Sequence, residues 1–151
     1  MKIAVCSDEP YAVNGATVTE LEERGHEVVR FGSVEAGAEA PWAQVTRRAA
    51  EAVARGDCDE GVFFCWTGTG ASIAANKVPG IRAALCTDPE TARGARIWNH
   101  ANVLVLSNRL ISTDRAKEIL TAWLDTPADD ARGNDGVSDV EQIDNDYRPK
   151  L

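Results

Sequence analysis

Residues 61–77 read GVFFCWTGTGASIAANK. Val62, Phe63 and Phe64 make a short apolar run of strand-forming residues, too short for a good helix. Cys65 ends the run. Trp66, Thr67, Gly68, Thr69 and Gly70 break the pattern, and helix-compatible residues return from Ala71 to Asn76. The order is strand, glycine-rich turn, helix start. Such a turn exposes backbone N–H groups and hydroxyls, and a helix start favours an anion. Cys65 is expected at the carboxyl end of a strand, where open parallel sheets bind ligands. A plainer reading makes Cys65 a small buried hydrophobe and the glycines an aid to tight packing. The stretch lacks the full dinucleotide glycine pattern and the spacing and lysine of a phosphate-binding P-loop.

Outward from this stretch, strands and helices alternate. Residues 2–6 (KIAVC) read as a first strand that ends in Ser7, Asp8, Glu9 and Pro10. Polar residues straight after a first strand belong at the ligand edge of a parallel sheet. Asp8 is the candidate for holding a substrate hydroxyl; otherwise it caps or turns the chain. A helix is expected over 14–24 with Val18 and Leu21 inward, then a strand over 27–31 and a loop over 32–40. Pro41 and Trp42 open a helix to about Ala54, which Arg55 and Gly56 close. Residues 81–86 (IRAALC) read as a strand, 90–98 as a helix, 102–106 as a strand. Arg109 follows at that strand's carboxyl end, placed to hold an anion or to be a solvated loop arginine. Residues 113–124 form an amphipathic helix with Ile119, Leu120 and Trp123 inward. Five alternations predict an α/β fold, a three-layer sandwich with a mostly parallel five-stranded sheet.

The 151 residues suit one domain, 44% apolar, with a formal net charge of −8. That charge argues against nucleic acid or an anionic membrane as partner. No apolar run is long enough to span a membrane. The start lacks the order of regions of a signal peptide, and four scattered cysteines read as thiols of a cytoplasmic protein. The two histidines, His26 and His100, exclude a histidine-rich metal site. Residues 1–126 are expected to form the catalytic body. Residues 127–151 change character: Asp129, Asp130, Asp135, Asp139, Glu141, Asp144 and Asp146 make an acidic extension. Val137, Val140, Ile143 and Tyr147 would let it dock as a short helix, against a partner subunit or as a ragged tail.

The run CWTGTGASIAANK, followed by VPGIRAALC, resembles the ribose-5-phosphate isomerase B / galactose-6-phosphate isomerase family. The resemblance covers residues 1–126 and includes KIAVCSD, GHEVVRFG and NHANVL. It implies a Rossmann-like homodimer, in some members a tetramer, with the active site at the dimer interface and no metal or other cofactor. It implies interconversion of an aldose phosphate and a ketose phosphate. Carried over by position, Cys65 is the general base between C1 and C2, and Thr67 stands beside the ring-opening and oxyanion site. Gly68, Thr69, Gly70, Ala71 and Ser72 form the loop around the enediolate. Asp8 binds sugar hydroxyls and Arg109 contacts phosphate. The chemistry is coherent: an α-hydroxy carbonyl needs a base at carbon and N–H donors where charge develops on oxygen.

The departures from the family pattern fall in the substrate shell. Glu9 stands where a phosphate-binding histidine is usual, and a carboxylate repels a phosphate dianion. Trp66 replaces a glycine and either packs against the sugar or narrows the pocket. Trp98 replaces the ring-opening histidine that the partner subunit supplies. Asn99 follows it, and His100 is the candidate replacement. Thr87-Asp88 alters the turn after the fourth strand. Arg132 stands in for one of two C-terminal arginines; the second position has joined the acidic run, and Arg148 is distal. The resemblance therefore implies an isomerase with a retained proton-transfer core and a rebuilt recognition shell for a sugar or sugar phosphate. Two other readings stand beside it: a different enediolate reaction, such as epimerisation or turnover of a carboxylated or four-carbon sugar, and a non-catalytic sugar-binding homologue.

Overall fold

In the computed structural model, residues 1–128 and 132–148 are described; Asp129 and Asp130 lie outside them. The apolar run around Phe63 becomes β3 (Glu60–Cys65), with every residue buried. Val62 and Phe64 join one apolar cluster, and Phe63 and Cys65 join the other. A strand covered on both faces reads as a continuous apolar run. Each buried phenyl contributes roughly 1.5–3 kcal/mol.

Around β3 lie β1 (Lys2–Ser7), β2 (Glu27–Gly32), β4 (Ala83–Leu85) and β5 (Val103–Ser107), in the order β2-β1-β3-β5-β4. Every pairing is parallel. One face is covered by α1 (Ala12–Glu23), α5 (Pro89–Asn99) and α6 (Thr113–Leu124), through Val18, Leu21, Ala92, Ala95, Ile119, Leu120 and Trp123. The other is covered by α3 (Trp42–Ala54) and α4 (Thr69–Ala75), through Val45, Ala49, Ala50, Ala71 and Ala75. This is the expected Rossmann-like three-layer sandwich. The chain runs outward to β2 and then back past β1 to β3, so the sheet changes direction between β1 and β3. The carboxyl ends of those two strands flank the crevice where such sheets take ligands. Among the described residues no helix is long and apolar enough to cross a membrane.

The boundaries differ from expectation where side chains intervene. Helix α1 starts earlier, at Ala12, because Asn14 Oδ1 accepts the Tyr11 N–H at 2.9 Å. The expected loop after β2 contains a one-turn helix, α2 (Ser33–Ala36), closed by Gly37 in the left-handed region. Strand β4 is only Ala83–Leu85, shorter than the apolar run 81–86. It is an edge strand, and Asn76 occupies its free side at Ala83. The amide donates from Nδ2 to the Ala83 carbonyl at 2.9 Å and accepts the Ala83 N–H on Oδ1 at 2.8 Å. The acidic extension holds a longer helix than expected, α7 (Asn134–Asp146). Val137 is buried, whereas Val140, Ile143 and Tyr147 are exposed.

Candidate active site

Parallel register places three strand ends side by side. Ser7 of β1 pairs with Phe64, and Cys65 of β3 pairs with Ser107 of β5. The chain then turns sharply after Cys65. Gly68 has φ +82°, and a Cβ there would stand 2.5 Å from Leu85 Cδ1. A side chain at Gly68 is therefore excluded by backbone strain and by crowding. The turn brings the Ala71 N–H back to Cys65, donating to Sγ at 3.4 Å. Thr67 and Thr69 share a hydroxyl–hydroxyl hydrogen bond of 2.7 Å on the exposed side of the turn. Ser72 continues α4, its N–H bonded to the Gly68 carbonyl at 3.0 Å. Burial pushes the Cys6 thiol up, and pushes Cys86 up to about 12.

Asp8 lies beyond the end of β1. Its Oδ1 is buried and accepts no hydrogen bond among the described residues. Burial first, then the fields of Glu9 and Glu39, raise its carboxyl above the ordinary value, against backbone hydrogen bonds that lower it. A buried acceptor without a donor is costly, and a sugar hydroxyl is a donor of the right size. Glu9 Oε2 accepts from the Tyr11 hydroxyl at 3.0 Å. Its carbonyl accepts from Ser7 Oγ at 2.7 Å. Asn108 Nδ2 donates to Ser7 Oγ at 3.0 Å, and Asn14 Nδ2 donates to Asn108 Oδ1 at 2.8 Å. This buried network ties the β1 turn to the loop after β5. Trp66 is exposed, and the Arg109 guanidinium lies over its ring at 5.3 Å from the centroid. The Trp66 carbonyl accepts both the Arg109 N–H at 3.0 Å and Ser107 Oγ at 2.8 Å.

Cys65, Thr67, Gly68, Thr69, Gly70, Ala71, Ser72, Asp8, Glu9, Trp66 and Arg109 thus gather at the carboxyl edge. The remaining candidates do not join them within one protomer. Helix α5 runs from the carboxyl edge back to the amino edge, so Trp98, Asn99 and His100 stand at the opposite end of the sheet. There Trp98 and Asn99 line a groove with Ile81 and Ala101, which precede β4 and β5. His100 takes φ +45° as the cap of α5, and its Nε2 is 2.8 Å from the Arg132 carbonyl oxygen. The Arg132 guanidinium lies over the Trp98 ring at 5.5 Å. Trp98, His100 and Arg132 are therefore a second cluster of their own.

Sequence reasoning missed four residues of the first cluster. Asn14 and Tyr11 were hidden in a helix start. Trp42 and Glu39 sit after β2, also at the carboxyl edge. A Cβ on Gly70 would stand 3.0 Å from Trp42 Cε3, so the indole lies on the glycine-rich turn. A tryptophan directly after Pro41, following a strand's carboxyl end, was the available signal. Among the described residues, no group of three or more His, Cys, Asp and Glu is placed to hold a metal ion.

Residues 3–140 match the family model described as Ribose/Galactose Isomerase. The chain is 35% identical to ribose-5-phosphate isomerase B of Escherichia coli (strain K12) over 138 residues, 91% of this chain and 92% of that protein. It is also 35% identical to D-erythrulose-4-phosphate isomerase of Pectobacterium atrosepticum over 144 residues, 95% of this chain and 93% of that one. The solved structure of Clostridium thermocellum ribose-5-phosphate isomerase B superposes with a TM-score of 0.92 at 38% identity, covering 98% of this chain and all of that one. With this fold, this strand-end cysteine and matches along nearly its whole length, the chain belongs to the ribose/galactose isomerase family.

Proposed function

We propose that the protein interconverts the aldose and ketose forms of a sugar or sugar phosphate through an enediolate, with Cys65 as general base. The observation that carries the reading is the position of Cys65 Sγ: at the end of β3, beside the sheet's change of direction, receiving the Ala71 N–H. The two relatives named above, a ribose-5-phosphate isomerase and a D-erythrulose-4-phosphate isomerase, support the reading. In the proposed step the Cys65 thiolate takes the proton from C2 of the aldose and returns it to C1. The proton balance is completed by movement from O2 to O1, so nothing is oxidised or reduced overall. The Thr69 and Gly70 N–H groups, at the start of α4, face the oxygen on which charge develops. Asp8 Oδ1 accepts a hydroxyl, and Arg109, held over Trp66, faces an anionic group.

In this reading a second subunit completes the site, bringing the Trp98, His100 and Arg132 cluster of one protomer to the Cys65 edge of the other. The acidic extension, residues 127–151, docks on that partner. The exposed Val140, Ile143 and Tyr147 of α7 supply the apolar surface for it. The test is turnover of tetroses, pentoses, hexoses and their phosphates in deuterated water, followed by NMR. Solvent deuterium enters C1 or C2 of the product. Cys65→Ala lowers kcat by about 10²–10⁴-fold, the usual contribution of a positioned base. Sugar binding without exchange in the wild-type protein would leave a binding homologue as the answer.

A further inference from the structure

We propose that Glu39, in the segment joining α2 to α3, and Trp42, the first residue of α3, are specificity-determining residues that receive an uncharged, hydroxyl-bearing end of the substrate. The inference rests on the isomerase reading and deepens it. Asp8, Glu9, Glu39, Ala40, Pro41 and Trp42 line a cleft of about 400 Å³. The segment is pinned to the end of β1, where the Ala40 N–H donates to the Asp8 carbonyl at 2.8 Å. Its far wall is the Trp42 indole, which lies on Gly70. Through this indole the cleft adjoins the glycine-rich turn that follows Cys65.

Its chemistry is one-sided. Three of the six lining residues are carboxylic acids, and none is Lys, Arg or His. Burial raises the Asp8 carboxyl first, and the nearby Glu9 and Glu39 add to it in the same direction. A phosphate dianion entering here meets three like charges at short range and no counter-ion. Hydroxyl groups meet the opposite situation, because carboxylate oxygens are strong acceptors and Asp8 Oδ1 is buried without a donor. The Trp42 ring is 47% exposed. It offers a flat apolar face to the C–H side of a sugar chain. Arg109 stands after β5, on the other side of β3 from β1 and this cleft. The edge is thus acidic and hydroxyl-accepting on one side of the thiol and cationic on the other. That polarity orients a sugar with its reactive carbonyl at Cys65 and its neutral end over Trp42.

Binding is measured by calorimetry on the full-length Cys65→Ala protein, which does not turn over. The probes are D-ribose against D-ribose 5-phosphate and D-erythrulose against D-erythrulose 4-phosphate. The free sugar of at least one pair binds at least tenfold tighter than its phosphate. Adding Trp42→Ala weakens free-sugar binding at least tenfold, and Trp42→Phe restores most of it. Adding Glu39→Gln narrows the discrimination at least threefold. Tighter binding of both phosphates overturns the proposal, as does failure of both free sugars to bind. So do changes within twofold in the Trp42→Ala and Glu39→Gln proteins. The readout is binding alone, so a wild-type protein that exchanges deuterium only with sugar phosphates refutes this wall and keeps the isomerase reading. Free-sugar binding with no exchange does the reverse.

Discussion

Replacing Arg96 with alanine should destabilise the fold by about 3–5 kcal/mol, the usual cost of removing one member of a buried ion pair. Arg96 leaves α5 with its side chain 12% exposed and places Nη2 2.7 Å from Glu60 Oε1, itself on a side chain 11% exposed. Nη1 donates to the Ala101 carbonyl at 2.6 Å and Nε to the Thr126 carbonyl at 2.9 Å. The guanidinium also lies 4.9 Å from the centroid of Trp123, whose indole N–H donates to Glu60 Oε2 at 2.7 Å. The substitution leaves a buried carboxylate with Trp123 as its remaining donor, and strips two carbonyls of theirs. For a chain of this size, 1 kcal/mol moves the midpoint by about 2–4 °C, so thermal unfolding falls by about 6–20 °C. Urea titration supplies the free energy. The double variant Arg96→Leu/Glu60→Gln removes both charges and keeps an acceptor for Trp123. It should recover at least half of the loss, because the penalty lies in the stranded charge rather than in the missing pair. An Arg96→Ala protein within about 1 kcal/mol of wild type would refute the reasoning. A double variant no better than the single would refute it as well.

Two further outcomes are expected. The Asp8 carboxyl is raised above its ordinary value, so its contribution to stability is present in acid and lost as pH rises from the unfolded value through the folded one. Asp8→Asn should therefore raise the midpoint at pH 7. The gain should vanish near pH 3, as scanning calorimetry at the two pH values will show. Gly133→Ala puts a methyl 2.4 Å from the Trp98 carbonyl oxygen at φ +75°. Hydrogen exchange should then show lost protection across α7 while β1, β3 and β5 keep theirs.

The fold was legible because β3 and β5 are buried on both faces, so burial itself writes uninterrupted apolar runs such as VFF and VLVL into the chain. Strand β4 was read too long for the same reason. Ile81 and Cys86 are buried outside the bounds of β4, and apolar content alone does not separate a strand from its buried flanks. Candidates attached directly to strand ends were readily placed at the carboxyl edge from the sequence: Asp8, Cys65 and Arg109. Those brought in by a later crossover were not. Nothing near Trp42 in the chain shows that its ring lies on Gly70, and nothing near Asn14 shows that it bonds to Asn108, because both contacts depend on tertiary packing.

The same logic separates the two clusters of candidate residues. A helix that follows a parallel strand must return to the amino edge before the next strand can start. Residues at the end of α5 are therefore carried away from Cys65 by the topology itself, whatever their chemistry. Trp98, His100 and Arg132 nevertheless form an ordered group: the Arg132 guanidinium stacks on Trp98, its carbonyl meets His100, and Gly133 packs against the Trp98 backbone. The left-handed conformation of His100, uncommon for a residue with a side chain, is held by that packing. A cluster this organised, exposed at Trp98 and out of reach of its own Cys65, is intelligible as half of a site. A two-fold interface pairs each patch with its complement on the other copy, so one contact geometry would complete both sites at once. On the proposed reading, Trp98, where the family pattern has a histidine, would then face the partner's sugar. On the same reading, the substrate shell would be divided between Glu39 and Trp42 in one subunit and Trp98, His100 and Arg132 in the other, with the proton-transfer group kept within a single turn of one chain.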